Sequence, residues 1–238
     1  MHHTGGAWSE TRMIYGRIVE DLVRKDWPQH YLSVGLGIGY CEFMVAALSV
    51  SLASQRANKN PSFKLLSFES HPLLRAQFYK FLLGTIPEPE LAQDETLFAP
   101  RLTELFSDNY RLLLGKIAGD SGVKVDEILA FLREKFASGE FQLLGALDNE
   151  SRNFLPKDLF FNGIIYDAYS SKMSQELWTE EFLSEFVALY PAKKCIFSTY
   201  AAKGALTRVL KKSGFDVSKP KGFSGKREST WAMRDVVL

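Results

Sequence analysis

The sequence predicts an α/β fold, with about seven strands in a mostly parallel sheet and helices on both faces. Three observations carry that reading. Short apolar runs alternate with helical patterns along most of the 238 residues. Three of the strand patterns end at a chemically distinctive residue or loop: residues 31–34 run into Gly35-Leu36-Gly37-Ile38-Gly39, residues 63–68 end at Glu69, and residues 161–166 end at Asp167. Near the C-terminus two strand patterns follow one another across a loop, which predicts an antiparallel hairpin at one sheet edge.

The elements follow in order. Residues 10–26 place Ile14, Ile18 and Leu22 at helical spacing, and Pro28 helps to end that helix. Residues 31–34 form a short buried strand, and a helix over 40–55 follows the glycines. A turn at 58–61 leads to the strand 63–68. Pro72 stands where a helix begins, and that helix reaches about Leu83. Residues 84–139 fit no strand–helix alternation and read as a helical insertion, with helical patterns near 91–106 and 125–136. Strands are expected at 141–147, 161–166, 194–200, 215–218 and 230–237, with helices at 178–190 and 203–212.

Composition excludes several classes. Hydrophobic residues make up 46 % and charged residues 24 %, which is ordinary globular usage and argues against extensive disorder. The apolar stretch 43–53 is far shorter than the roughly 18–20 residues a membrane-spanning helix needs, and serines interrupt it. No basic segment followed by an apolar one marks a secretory signal. Two cysteines, Cys41 and Cys195, support neither a disulfide framework nor a multi-cysteine zinc site. The expected compartment is the cytoplasm. His2 and His3 have no carboxylate cluster to make a metal site, so no metal is expected. Net charge is +1, but residues 193–227 hold ten Lys/Arg and one acid, Asp216, against nineteen basic and twenty-seven acidic residues elsewhere. That basic segment is either a footprint for a polyanion or a solvated surface.

Glycines between a strand and a helix let the backbone turn tightly and let a ligand approach without a Cβ in the way. Glu69 ends the next strand, where a carboxylate can accept hydrogen bonds from both hydroxyls of a ribose. The spacing is not the G-x-G-x-x-G of dinucleotide folds, and Glu42 would stand near a pyrophosphate at the helix start. S-adenosylmethionine carries no phosphate, so the pattern favours that donor over NAD. A tight turn that binds nothing is the alternative.

Asp167 is followed by Ala168-Tyr169, at the strand ends where ligands of open α/β sheets sit. An acid followed by an aromatic suits methyl transfer to nitrogen. The acid orients an amine, the ring of Tyr169 packs on the acceptor, and the chain's main task is to align two bound reactants. The alternative is an Asp167 that caps the next segment or pairs with a lysine.

At these residues the chain resembles the MnmC-type methyltransferases in their stand-alone form, without the FAD-oxidase domain. The resemblance runs in order through His2-His3-Thr4-Gly5-Gly6-Ala7 with Glu10 and Tyr15, then residues 34–39, then Ser67-Phe68-Glu69-Ser70-His71-Pro72-Leu73. It continues through Asp167-Ala168-Tyr169 to Glu176-Leu177-Trp178-Thr179, then Phe197-Ser198-Thr199-Tyr200 and Gly222-Phe223-Ser224-Gly225-Lys226-Arg227-Glu228. The chain departs from the family pattern at Ser33, where an acid is usual, and in residues 170–175, where prolines are usual.

The resemblance implies a Rossmann-like class I S-adenosylmethionine-dependent methyltransferase fold, forming one domain over residues 1–238 with the insertion at 84–139 and a basic C-terminal region at 193–228. It implies N-methylation of the tRNA wobble uridine, from 5-aminomethyl-2-thiouridine to 5-methylaminomethyl-2-thiouridine. A separate oxidase or aminomethyl-forming enzyme would act upstream. Asp167 and Tyr169 would be catalytic. Gly35, Gly37, Gly39, Glu69 and Asp148 would hold the donor, while Trp178, Lys226 and Arg227 would bind the substrate. Two other readings stay open: a methyltransferase for another RNA or a small-molecule amine, and a donor-fold binding protein without catalysis.

Overall fold

The structure is a computed structural model and describes residues 6–55, 61–86, 99–147, 159–169, 172–223 and 228–235. Its strands are β1 (Gln29–Val34), β2 (Phe63–Phe68), β3 (Phe141–Leu144), β4 (Phe161–Tyr166), β5 (Pro191–Thr199), β6 (Asp216–Ser218) and β7 (Thr230–Asp235). The helices are α1 (Ala7–Arg24), α2 (Tyr40–Ser51), α3 (Pro72–Leu83), α4 (Pro100–Ser121), α5 (Val125–Ala137), α6 (Glu180–Leu189) and α7 (Gly204–Lys212).

The seven strands form one sheet in the order β3-β2-β1-β4-β5-β7-β6. The pairings among β1 to β5 are parallel, and β7 is antiparallel to both β5 and β6. The expected hairpin is therefore present, with β7 inserted between β5 and β6. Parallel strands are buried on both faces, so they read as near-continuous apolar runs. Alternation then sorts their side chains. Tyr31, Leu65, Ile165 and Ile196 join the core beneath α1 to α5, whereas Leu32, Leu66, Phe68, Tyr166 and Phe197 join the core beneath α6 and α7.

Residues 84–139 belong to the crossover from β2 to β3 rather than to an appendage. Tyr110, Leu113, Leu114 and Ile117 of α4, with Ile128 and Leu132 of α5, are buried in the first core. The Tyr110 ring lies 4.7 Å from Phe81 and 6.1 Å from both Phe43 and Phe78, so α4 closes an aromatic cluster over α2 and α3. Of the helix expected near 91–106, residues 99–106 are described: α4 starts at Pro100, a residue suited to a first helical turn, and continues past the expected end to Ser121. Gly115 and Gly119 within it weaken the sequence pattern. Residues 87–98 lie outside the described residues, as does most of the turn expected at 58–61.

Some boundaries also shift. The helix expected over 178–190 is a 3₁₀ turn, Gln175–Trp178, followed by α6. Thr179 separates them as N-cap, its hydroxyl accepting from the Phe182 N–H at 3.2 Å. α2 stops at Ser51 and a 3₁₀ turn, Ala53–Gln55, completes the expected span. β3 ends at Leu144 rather than at residue 147, just before Gly145.

Candidate active site

The C-terminal ends of β1, β2 and β4 meet at one crevice, because register aligns Val34 with Phe68 and with Tyr166. The next residues are therefore neighbours: Gly35 after β1, Glu69 after β2 and Asp167 after β4. Gly35 N–H donates to the Phe68 carbonyl at 2.9 Å, and Asp167 N–H donates to that of Val34 at 2.9 Å. The crevice is lined by Gly35, Glu69, Leu147, Tyr169, Ser174 and Leu177, among others.

The three loop glycines serve different needs. Gly35 has φ +93°, and a Cβ there would come within 2.5 Å of the Asp167 carbonyl oxygen. Gly39, at φ +77°, would press a Cβ to 2.7 Å from the Phe78 ring. A Cβ on Gly37, at φ +54°, would meet nothing within 4 Å. Gly35 and Gly39 thus let the protein close on itself, and Gly37 fronts open space.

Glu69 is 3 % exposed. Its Oε2 accepts the Gly37 N–H at 2.9 Å, and its Oε1 accepts the His71 N–H at 2.8 Å. Arg75 donates to the Glu69 carbonyl at 2.6 Å and so fixes the backbone as well. Each carboxylate oxygen can accept a further hydrogen bond.

Asp167 accepts a hydrogen bond at Oδ1 from the Tyr15 hydroxyl at 2.8 Å. Burial pushes its carboxyl up to about 7; the Tyr15 bond opposes this, while the charges of Glu42 and Glu10 add to it. Tyr169 follows on the loop and is 53 % exposed at the crevice. The Trp178 indole N–H donates to the Tyr169 carbonyl at 2.7 Å. Trp178 itself is buried, 5.2 Å from the Tyr166 ring and 6.2 Å from the Tyr200 ring. Tyr200 donates to the Ala168 carbonyl at 3.0 Å. The loop behind Asp167 is therefore held by Trp178 and Tyr200 from below. The ammonium of Lys203 lies 5.6 Å over the Trp178 ring, which brings the basic segment to this end of the sheet.

Of the site residues expected from the sequence, Gly35, Glu69 and Tyr169 line the crevice; Gly37 joins them through its N–H to Glu69, and Asp167 lies beside them with its carbonyl against Gly35. Gly39 starts α2 just behind it, and Trp178 sits under the loop. Asp148, Lys226 and Arg227 lie outside the described residues; Leu147, the neighbour of Asp148, is on the crevice wall.

Tyr15 had no role assigned from the sequence. Tyr15 sits next to Ile14 on the apolar face of α1, and a buried phenol needs an acceptor, which was the available signal. Glu42 was expected to stand where it would meet a bound pyrophosphate, and the structure corrects this. It is fully buried, accepts the Ser67 hydroxyl at 2.6 Å and faces the Ser33 hydroxyl, and burial raises its carboxyl to about 7. Its charge acts from beneath the loop because α2 is buried along most of its length. Among the described residues no group of three or more His, Cys, Asp or Glu could hold a metal ion, and no helix is long and apolar enough to cross a membrane.

Comparison with known proteins agrees with this geometry. A family model described as S-adenosyl-L-methionine-dependent methyltransferase matches residues 132–235. The tRNA 5-methylaminomethyl-2-thiouridine biosynthesis bifunctional protein MnmC of Aromatoleum aromaticum is 33 % identical, over 95 % of this chain and 31 % of the relative. Its namesake from Paraburkholderia xenovorans is 25 % identical, over 81 % of this chain and 25 % of the relative. The chain thus spans about a third or less of these curated relatives. Among solved structures, MNMC2 from Aquifex aeolicus shares the fold, with a TM-score of 0.59 at 21 % identity over 97 % of this chain and 62 % of that one. Residues 132–235 thus match the S-adenosyl-L-methionine-dependent methyltransferase family, and the chain carries a methyltransferase domain similar to that of the MnmC proteins.

Proposed function

We propose that this chain methylates the aminomethyl nitrogen of the tRNA wobble uridine, forming 5-methylaminomethyl-2-thiouridine. The carrying observation is the place of Asp167, a carboxylate beside the Gly35–Glu69 crevice with one oxygen already held by Tyr15. The printed name of the relatives supports the acceptor.

The residues present fit S-adenosylmethionine. Glu69 is a buried carboxylate with acceptor capacity left for two ribose hydroxyls, and Gly37 leaves room in front of it. Asp148 is retained as a further donor-side acceptor on sequence grounds. When bound, S-adenosylmethionine supplies a methyl group on a positively charged sulfur. The chain's residues prepare the nucleophile. The amine reacts in its neutral form, its proton released to solvent, and the ionised Asp167 accepts a hydrogen bond from one of its N–H groups, which leaves the lone pair free for attack. The same carboxylate orients the remaining N–H bonds and then stabilises the positive charge that develops on nitrogen. Tyr169 packs against the base, and Trp178 supports Tyr169 from behind.

The basic segment 193–228, including Lys226 and Arg227, contacts phosphates of the tRNA, and the splayed wobble base enters the crevice. An oxidase or other aminomethyl-forming enzyme acts before this site. A cytoplasmic location goes with a tRNA substrate. The shared seven-stranded sheet supports one methyltransferase domain across the described residues.

The test is incubation with labelled S-adenosylmethionine and tRNA from cells lacking the wobble methyltransferase, followed by nucleoside mass spectrometry. Labelled 5-methylaminomethyl-2-thiouridine is the expected product. Donor binding without that product would overturn the acceptor assignment.

A further inference from the structure

Tyr15 is 2 % exposed and lies 152 positions before the carboxylate to which it donates. Its reach depends on how closely α1 packs on the sheet. Gly163 of β4 makes that possible: a Cβ there would stand 2.7 Å from Cγ2 of Ile18, one turn along α1 from Tyr15. Two further contacts fix the helix. Ser198 of β5 donates to the Ile14 carbonyl at 2.9 Å, and the Arg17 guanidinium lies 4.6 Å from the Trp231 ring of β7. The phenol is thus placed by three strands, and its hydrogen bond takes Oδ1 of Asp167.

We propose that Tyr15 is the positioning residue for Asp167: by holding Oδ1 it fixes the carboxylate's rotation and leaves Oδ2 to meet the acceptor amine. This rests on the reading that Asp167 faces that amine. The bond also sets the charge state. Burial and the negative charge of Asp167 raise the Tyr15 phenol well above its ordinary value, so it stays a donor across the working range. The other groups acting on Asp167 are Glu10 on α1, Cys41 and Glu42 on α2, Tyr200 after β5 and Tyr169 on its own loop. None of these is a base that carries positive charge, so the Tyr15 hydrogen bond is what favours the ionised carboxylate. Removing it raises the Asp167 pKa.

The test is Tyr15→Phe in the full chain, which keeps the ring and removes only the hydroxyl. Aspartate carboxyl carbons are labelled with ¹³C, and the Asp167 signal is assigned by its loss in Asp167→Asn. The expected result is an Asp167 titration midpoint at least half a pH unit higher than in the wild type. With tRNA as acceptor, kcat falls at least tenfold, donor affinity stays within threefold, and the acid limb of the rate profile moves with the titration. Fluorotyrosine at position 15, a stronger donor of nearly the same size, moves the midpoint down and keeps the test open should Tyr15→Phe fold poorly. An unmoved Asp167 titration in both variants overturns the proposal. So does a loss of donor affinity as large as the loss of kcat. Absence of tRNA methylation by the wild type counts against the function proposed above, and the titration still decides the role of Tyr15.

Discussion

A Cβ at position 35 would sit 2.5 Å from the backbone carbonyl oxygen of Asp167, so the glycine loop and the backbone after β4 approach each other only because residue 35 has no side chain. Gly35→Ala meets both that contact and a φ of +93°, and is expected to cost at least ~2 kcal/mol. Gly37→Ala carries the strain of the left-handed region, about 1–2 kcal/mol, but no clash. It is expected to fold and to bind donor about tenfold more weakly, because its methyl occupies open space next to the N–H that holds Glu69. Denaturant unfolding and titration calorimetry on the pair check this. A Gly37→Ala protein with full donor affinity would remove Gly37 from the donor site.

Asp167→Asn keeps an oxygen for the Tyr15 hydroxyl and removes the charge. It is expected to lower kcat by two or more orders of magnitude while donor affinity stays within a few-fold. In the wild type, the rate should rise with pH through about 7, since the working form is the ionised carboxylate. Steady-state kinetics between about pH 5.5 and 9 read both effects. Parallel loss of donor binding would make Asp167 a donor residue instead.

Glu42 gives a prediction about stability. Its carboxyl is raised from 4.5 to about 7 by burial, so between those values the folded state holds more protons than the unfolded one. Stability therefore falls as pH rises through that window, and the cost is complete above it. At 1.36 kcal/mol per unit this amounts to roughly 3 kcal/mol as an upper figure. Glu42→Gln still accepts from Ser67, so it should stabilise the protein at pH 8 and flatten the fall between about pH 4.5 and 7. Urea midpoints at pH 5 and pH 8 measure it. An unchanged difference between them would show that Glu42 is ionised without penalty.

The basic segment predicts salt dependence. Raising salt from about 50 to 200 mM should weaken tRNA binding at least ~10-fold through counterion release, while donor affinity changes little. Replacing Lys226 and Arg227 together should reduce the slope of affinity against salt. Filter binding across a salt series checks it, and salt-independent binding would sever the segment from the tRNA.

Much of the fold was legible because parallel strands leave a plain trace. Residues 63–68 and 161–166 are read to the residue, since a strand buried on both faces is mostly apolar and each of these ends at a carboxylate. The start of the helix expected over 178–190 was placed too early because Trp178, which ends a 3₁₀ turn, is apolar in either conformation. Only the Thr179 hydroxyl, as N-cap, marks the true start of α6. In α4, Gly115 and Gly119 obscured a helix whose stability comes from burying Tyr110 and Leu114 against α2 and α3 rather than from local propensity.

The sequence by itself determined the strand ends that carry chemistry: the glycine loop at 35–39, Glu69 and Asp167 are each fixed by where an apolar run stops. Tertiary structure alone decided which distant groups those residues meet. Nothing local pairs Tyr15 with Asp167, or Glu42 with Ser67, because each pair is joined across separate elements once α1 and α2 lie on the sheet. That approach depends on Gly163 and Gly39, whose missing side chains set the distance between helix and neighbour. Periodicity records which face of a helix is buried. The depth to which it is buried, and hence the charge state of the carboxylates beneath it, is a property of the packed molecule.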